Sequence, residues 1–366
     1  MIPVILTLDY EICGNGAGDV RRDIIEPTRR LLDICDKHNA KMTIMFEVAE
    51  YLAFAKYDDS LRKDLGHSPC QEMKQQATDA ILRGHDVQLH LHPQWLAARY
   101  DQGVWQFRNC RWRLADLPDR PESESKGASI TKALYMGKHT LESMLKPAKS
   151  DYECICFRAG SFCAQPSRDI IAAMKGVGLK ADSSVVRGYR GRPPLAVDYS
   201  CVQTDTTAWW TTDAEFTAEG KPGENVLELS VSSRLVPYWR SFKAAKLRAV
   251  SKMWRIENGS RHNHVAREKV SSFPSCGEAL KRLLKKRPSP LDFCKLSGRD
   301  MLHRVREHDT DPQQPLVAIG HSKDFVNEQE LGKFLAGLSH RQSIRYWNMS
   351  DYVQQAWPRL AGSQVA

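Results

Sequence analysis

The chain has 366 residues, 42% hydrophobic and 27% charged, a globular composition that excludes collagen-like, coiled-coil and wholly disordered chains. That length suits one large domain or two ordinary ones, and no apolar run reaches the roughly 18 residues a bilayer span needs. With 53 Lys and Arg against 44 Asp and Glu, the net charge is +9.

The first residues, Ile2-Pro-Val-Ile-Leu-Thr-Leu-Asp9, read as a strand that stops on Asp9-Tyr10-Glu11 and the turn Gly14-Asn15-Gly16. A strand this early leaves no room for a basic and then apolar leader, so the expected compartment is the cytoplasm. A helical pattern over Ile24 to His38 leads to a second strand from Lys41 to Phe46. Another helix, Cys70 to Leu82, precedes Gly84 and a third strand from Asp86 to His92, closed by Pro93. Residues 98–126 carry Trp105, Phe107 and Trp112 and read as a long functional loop.

A helix from Ile130 to Leu145 is followed by a strand over Glu153 to Phe157, ending at Arg158-Ala159-Gly160-Ser161-Phe162. Then come a helix from Arg168 to Gly176, a short strand into Asp182, and a strand from Asn225 to Val231. Residues 232–310 form a long insert. From Arg234 to Asp300 it holds 17 Lys and Arg against 5 Asp and Glu, so the rest of the chain carries 36 against 39, or −3. Its pattern predicts basic helices over Phe242 to Ile256 and Glu278 to Arg287, suited either to solvent or to an anionic surface. The strand Pro315 to Gly320 ends at His321, and a helix (Glu328 to Leu338) and a strand (Ser343 to Trp347) close the chain. Strands alternating with helices predict a parallel α/β architecture, barrel-like or doubly wound, over residues 1–366 as one domain. The ten cysteines contain no CxxC pair and read as reduced core residues.

Polar groups stand where the apolar strands stop: Asp9 and Glu11, His90 and His92, Arg158, Asp182 and His321. In parallel α/β folds the carboxyl ends of strands build the site, so these residues are predicted to meet in one pocket. Taken singly, Asp9 with Glu11 also fits a turn cap, and a His pair or a lone His also fits a structural role. Taken together, Glu11, His90 and His92 form a ligand set for Zn, or for Co, Ni, Mn or Fe, with positions left open for water and substrate. Asp9 then suits a general base, Arg158 its orienting cation, and His321 an acid for the leaving group.

This ordered set resembles the NodB-type polysaccharide deacetylases, carbohydrate esterase family 4. Thr7-Leu8-Asp9-Tyr10-Glu11 is similar to the first family motif in its Asp-x-Asp/Glu form. Gly84-His85-Asp86-Val-Gln-Leu-His90 matches the second, Arg158-Ala159-Gly160-Ser161-Phe162 the third, Asp182-Ser183 the fourth and Leu316-Val-Ala-Ile319-Gly-His321 the fifth. The family's second metal His falls four residues after the first, where this chain has Gln94, so His92 takes its place ahead of His85. The block His90-Leu-His92-Pro93-Gln94-Trp95 resembles a divergent WalW/WbmS-like branch linked to bacterial O-antigen loci.

The resemblance implies a distorted (β/α)7-type barrel and metal-dependent removal of an N-acyl group from a sugar. Metal-bound water attacks with Asp9 as base; His321 protonates the amine, with Asp182 orienting it. Trp95, Phe162, Trp209 and Trp210 are the candidates to bind the sugar. The expected substrate is an O-antigen component or its lipid- or nucleotide-linked precursor, with segment 232–310 reaching anionic lipid at the inner face of the cytoplasmic membrane. The rival expectation is a catalytically silent glycan- or membrane-binding module on the same barrel. A nucleic-acid partner is not expected, because no recognised motif accompanies the basic segment.

Overall fold

A computed structural model describes residues 1–108, 110–118, 128–202, 206–239, 243–259, 284–308, 314–339, 341 and 343–362. Its strands are β1 (Ile2–Tyr10), β2 (Met42–Glu47), β3 (Asp86–Leu91), β4 (Arg99–Asp101), β5 (Val104–Gln106), β6 (Cys156–Ala159) and β7 (Ala181–Asp182), then β8 (Ala208–Trp210), β9 (Leu227–Leu229), β10 (Ser233–Pro237), β11 (Lys286–Pro290), β12 (Leu316–His321) and β13 (Ile344–Trp347). The helices are α1 (Glu26–Lys37), α2 (Val48–Lys56), α3 (Asp58–Leu65), α4 (Pro69–Leu82) and α5 (Ile130–Leu145), then α6 (Arg168–Val177), α7 (Ala244–Gly259), α8 (Gly298–Glu307), α9 (Glu328–Ser339) and α10 (Met349–Gly362).

The main sheet runs β12-β1-β2-β3-β6-β7-β9-β8, parallel except for β8, and β13 pairs with the first half of β1. This is the parallel α/β architecture expected from the alternating pattern, in the barrel form that the resemblance implied. Strand β1 is buried along its whole length, as a central parallel strand covered on both faces must be. Alternation sends Val4, Leu6, Leu8 and Tyr10 into the main core and the odd-numbered residues to the other face. There Ile5, Met45, Val317 and Leu227 pack on Met349, Tyr352 and Val353 of α10, which plugs the lower end of the barrel. Helix starts are written in the sequence: Ser68 Oγ accepts from Gln71 N at the start of α4, and Ser129 Oγ from Lys132 N at the start of α5.

The barrel closes through the roots of the basic insert. Ser232 N donates to Val317 O (3.0 Å), Leu291 N to Ser232 O (2.7 Å), Ile319 N to Leu291 O (2.9 Å) and Phe293 N to Ile319 O (2.9 Å). The chain on either side of the antiparallel pair β10–β11 therefore fills the gap beside β12.

Several expectations are corrected. Of the predicted basic helix Glu278 to Arg287, residues 278–283 lie outside the described residues; Leu284 is helical, and the end is corrected because Lys286–Pro290 is a strand, where Pro288 and Pro290 prevent a helix from running on. The 98–126 segment is not simply a loop. It opens with the β4–β5 hairpin, turned by Gln102 and Gly103, both at positive φ. The helices α2, α3, α8 and α10 and the strands β8 and β10 were not anticipated. The described cysteines are all free, and no described helix is long and apolar enough to cross a membrane.

Candidate metal centre and catalytic cluster

Sheet register assembles the site. Asp9 is paired with His321 across β1–β12, Glu47 with His90 across β2–β3, and His90 with Arg158 across β3–β6. Five strands thus end their apolar stretches at one rim, each with a polar residue.

Arg158 crosses the barrel interior, fully buried. Its Nη1 donates to Asp9 Oδ1 (2.5 Å), Nε to Ser183 O (2.9 Å), and Nη2 to Thr7 Oγ1 (3.0 Å) and Ser183 Oγ (2.9 Å). Burial pushes the Asp9 carboxyl up, but Arg158, His90 and His321 together hold it below its ordinary value. Asp9 is therefore a buried, ionised carboxylate with one oxygen tied to a guanidinium. The other, Oδ2, faces His321 Nε2 at 3.5 Å and His90 Nε2 at 4.0 Å.

Beside it, Glu11, Glu47, His90 and His92 present four ligand atoms within 4.8 Å of one another, all buried. His90 Nδ1 lies 2.9 Å from Arg158 O. A carbonyl only accepts, so Nδ1 carries the hydrogen and Nε2 of the neutral ring carries the lone pair. That Nε2 is buried without a hydrogen-bond partner and faces Glu11 Oε2 at 3.5 Å. A buried imidazole nitrogen and a buried carboxylate oxygen at this separation are donor atoms that a cation between them would satisfy. His92 Nδ1 completes the group, 2.9 Å from Glu11 Oε2 and 2.8 Å from Glu47 Oε2. Burial would lower the His92 imidazole, yet Glu11 and Glu47 override it and hold the ring up at about 10. Glu11 is likewise pushed up by burial but held well below the carboxylate range by His92 and Lys323. The donor set fits a divalent ion that displaces the His92 proton.

Sequence reasoning missed Glu47. It ends β2 and caps α2, with Oε1 accepting from Ala49 N and Glu50 N, which leaves Oε2 for the cluster. An acid closing a strand was the available signal. Lys323 Nζ, also unanticipated, holds Glu11 Oε1 and reaches Ile12 O at 3.2 Å. Gly160 is required where it stands, because a Cβ there would lie 2.5 Å from the His92 ring.

Gln94, at the family's second His position, donates its Nε2 to Gly14 O (3.3 Å) and braces the turn after β1. His85 sits at the start of β3, away from the cluster. Its Nδ1 accepts from Met42 N, its Nε2 lies 3.0 Å from Asp36 Oδ1, and burial pushes it down to about 4.

Asp182 is buried against Ser184, accepting from its N (2.7 Å) and Oγ (2.9 Å), and pairs in register with Glu228. No described hydrogen bond joins it to His321, and the carboxylates acting on His321 are Asp324 and Asp9. The orienting role expected of Asp182 is therefore not supported by its contacts. The aromatic expectations also need correction. Trp95 packs in the core against Phe54, Trp105 and Phe107. Trp209 donates its Nε1 to Phe216 O (2.8 Å), and Trp210 belongs to the barrel plug. A sugar ring cannot stack on faces already covered. Phe162 is half-buried, edge-on to Tyr189, at a strained positive φ shared with Ser161; Ser161 Oγ lies 3.4 Å from His92 Nε2.

No family model and no curated protein matches this chain. Among solved structures it is similar to a Mycobacterium smegmatis protein assigned as a polysaccharide deacetylase, with TM-score 0.46 and 12% identity over 100% of this chain and 92% of the other. It is also similar to Puue Allantoinase, with TM-score 0.44 and 10% identity over 98% and 91%. A third neighbour, a Pseudomonas aeruginosa PAO1 protein assigned as a polysaccharide deacetylase, has TM-score 0.44 and 11% identity over 98% and 91%.

Proposed function

We propose that this chain is a metal-dependent hydrolase that removes an N-acyl group, acetyl or formyl, from a sugar. The sugar belongs to a bacterial surface polysaccharide such as an O-antigen, or to its lipid- or nucleotide-linked precursor. The observation that carries the hydrolytic reading is the partnerless His90 Nε2 aimed at the Glu11 carboxylate, next to an ionised Asp9 clamped by Arg158. The sugar rests on the motif resemblance in the sequence.

Glu11, Glu47, His90 and His92 would hold the ion, zinc being the first choice for two imidazoles and two carboxylates. A divalent ion there would polarise an acyl carbonyl and acidify a water molecule. Asp9, tied at Oδ1 and open at Oδ2, accepts the water proton. His321 faces that same oxygen at 3.5 Å, so the proton can pass to the imidazole and on to the departing amine.

Metal analysis tests the ligands. Protein stripped with a chelator should take up one divalent ion with release of protons. Its affinity should rise about tenfold per pH unit as the His92 proton is lost, up to about 10. His90→Ala, His92→Ala and Glu47→Gln should each abolish stoichiometric binding. Full metal retention in His90→Ala would overturn the ligand assignment, undiminished amide hydrolysis in chelated wild type would overturn the metal dependence, and no hydrolysis by the metal-loaded protein would favour a silent binding module instead.

The basic segment adds a localisation reading, a cytoplasmic enzyme touching the inner membrane face. In α7, Leu247, Val250 and Trp254 are exposed, flanked by exposed Arg248 and Arg255, a pattern suited to anionic headgroups. Flotation with phosphatidylglycerol vesicles should weaken in the Lys243→Glu, Arg248→Glu, Arg255→Glu triple variant and at high salt. Equal flotation of variant and wild type removes this reading.

A further inference from the structure

The two imidazoles of the cluster meet it by different edges. Their rings stand nearly perpendicular, 87° apart, with centroids 4.8 Å from each other. His90 turns Nε2 toward Glu11, because its Nδ1 is engaged with Arg158 O at 2.9 Å. His92 instead turns Nδ1 inward, 2.9 Å from Glu11 Oε2 and 2.8 Å from Glu47 Oε2. Its Nε2 points the other way, where Ser161 Oγ stands within hydrogen-bond reach at 3.4 Å.

The turn that carries Ser161 is shaped around this ring. His92 lies face-down on Gly160: a Cβ there would come within 2.5 Å of His92 Cγ and Cδ2 and 2.9 Å of Nδ1. Turning the ring over would exchange Nδ1 for Cδ2 and Nε2 for Cε1, and so lose Glu11, Glu47 and Ser161 together. Ser161 and Phe162 both adopt left-handed backbone, with φ of 53° and 60°, a conformation that a Cβ disfavours. Tyr199, fully buried, holds that turn in place: its hydroxyl donates to Phe162 O (2.6 Å) and accepts from Ala164 N (3.2 Å). Strain of this kind persists where the surrounding structure over-determines it, and here it delivers a hydroxyl to one ring nitrogen.

We infer that Ser161 is the positioning residue for His92: its hydroxyl accepts the Nε2–H, so the ring would ligate through Nδ1, while His90 would ligate through Nε2. A neutral imidazole has one N–H, and the partner that takes it decides which nitrogen keeps the lone pair. Arg158 O makes that choice for His90 and Ser161 Oγ makes the opposite one for His92. The two histidines, two residues apart on one strand end, thus aim different atoms at the same point. The inference rests on reading the cluster as a metal centre.

Full-length wild type, stripped with a chelator and reloaded with zinc, can be examined by imidazole nitrogen NMR. His90 should carry its hydrogen on Nδ1 and the zinc on Nε2; His92 should carry its hydrogen on Nε2 and the zinc on Nδ1. Ser161→Ala should weaken zinc binding by about tenfold, the lower end for an outer hydrogen-bond partner of a ligand, since a hydroxyl is a weaker acceptor than a carboxylate. Ser161→Gly should weaken it equally while its melting temperature holds or rises, because glycine adopts the left-handed backbone freely. A merely structural serine would move affinity and melting temperature together. Ser161→Asn, which tolerates that backbone and offers an amide oxygen, should recover part of the affinity. Zinc on Nε2 of His92, or wild-type zinc affinity in both Ser161→Ala and Ser161→Gly, overturns the inference and leaves the metal centre standing. A wild type that takes up no zinc overturns both.

Discussion

Asp9→Asn should cut N-acyl hydrolysis by about 10²–10⁴-fold while leaving the metal stoichiometry intact. Asp9 is not one of the four clustered ligand residues, and an Asn oxygen can still accept from Arg158 Nη1, so the scaffold around the ion survives. What disappears is the negative charge that receives a proton. The same substitution should cost stability, because Arg158 is fully buried and loses its nearest anion; unpairing a buried ion typically costs about 3–5 kcal/mol, and the retained hydrogen bond places this variant toward the lower end. The pH dependence has a definite sign. The folded pKa of Asp9 is depressed, so its contribution is present above the unfolded carboxylate value and is lost as pH falls through the folded one. Melting curves of wild type and variant should therefore differ most near neutrality and converge on acidification. Hydrolysis within a few-fold of wild type, with the metal bound, would exclude Asp9 as the base.

The fold was legible wherever a strand was long and apolar, because a parallel strand buried on both faces leaves a continuous hydrophobic run. The rim of the site followed from the same rule: a polar residue ending such a run has few places to point except the pocket. Glu47 escaped because β2 passes straight into α2, so no turn residue marks the junction. Lys295, Lys323 and Asp324 escaped for a different reason. Lysines, whether in the basic segment like Lys295 or in the turn after β12 like Lys323, read as solvent-facing, and only three-dimensional pairing, of Lys295 with Asp292 and Asp324 and of Lys323 with Glu11, brings them inside. The tryptophans misled in the opposite direction. Trp95 and Trp105 lie near the site in sequence, but the β4–β5 hairpin folds them into a mutual cluster, and sequence carries no record of which aromatic faces are already covered. The closing of the barrel by Ser232 and Leu291 depends on a few backbone hydrogen bonds, too short a stretch to leave a periodic signal.

Arg158→Met should be the most damaging single substitution for fold and chemistry together. Methionine has similar length and fills the interior, so the effect isolates polar pairing from packing. Four hydrogen bonds vanish at once, to Asp9 Oδ1, Thr7 Oγ1, Ser183 O and Ser183 Oγ. Thr7 Oγ1 still donates to Ala318 O and Ser183 Oγ to Leu229 O, so the hydroxyls keep one partner each. Asp9 does not fare as well: burial, the largest influence on its carboxyl, then lacks its strongest opposing charge. About 3–5 kcal/mol is at stake, a melting-point drop of roughly 4–7 °C for a chain of 366 residues. Asp9 should also bind its proton more tightly, so the acid limb of the pH–rate profile should move upward and part of the lost activity should return as pH is raised. Arg158→Lys, a cation without the planar fork, should fall between the two, keeping Asp9 ionised but losing Ser183. A melting point and acid limb both unchanged in Arg158→Met would mean that the Arg158–Asp9 pair neither supports the barrel nor sets the base.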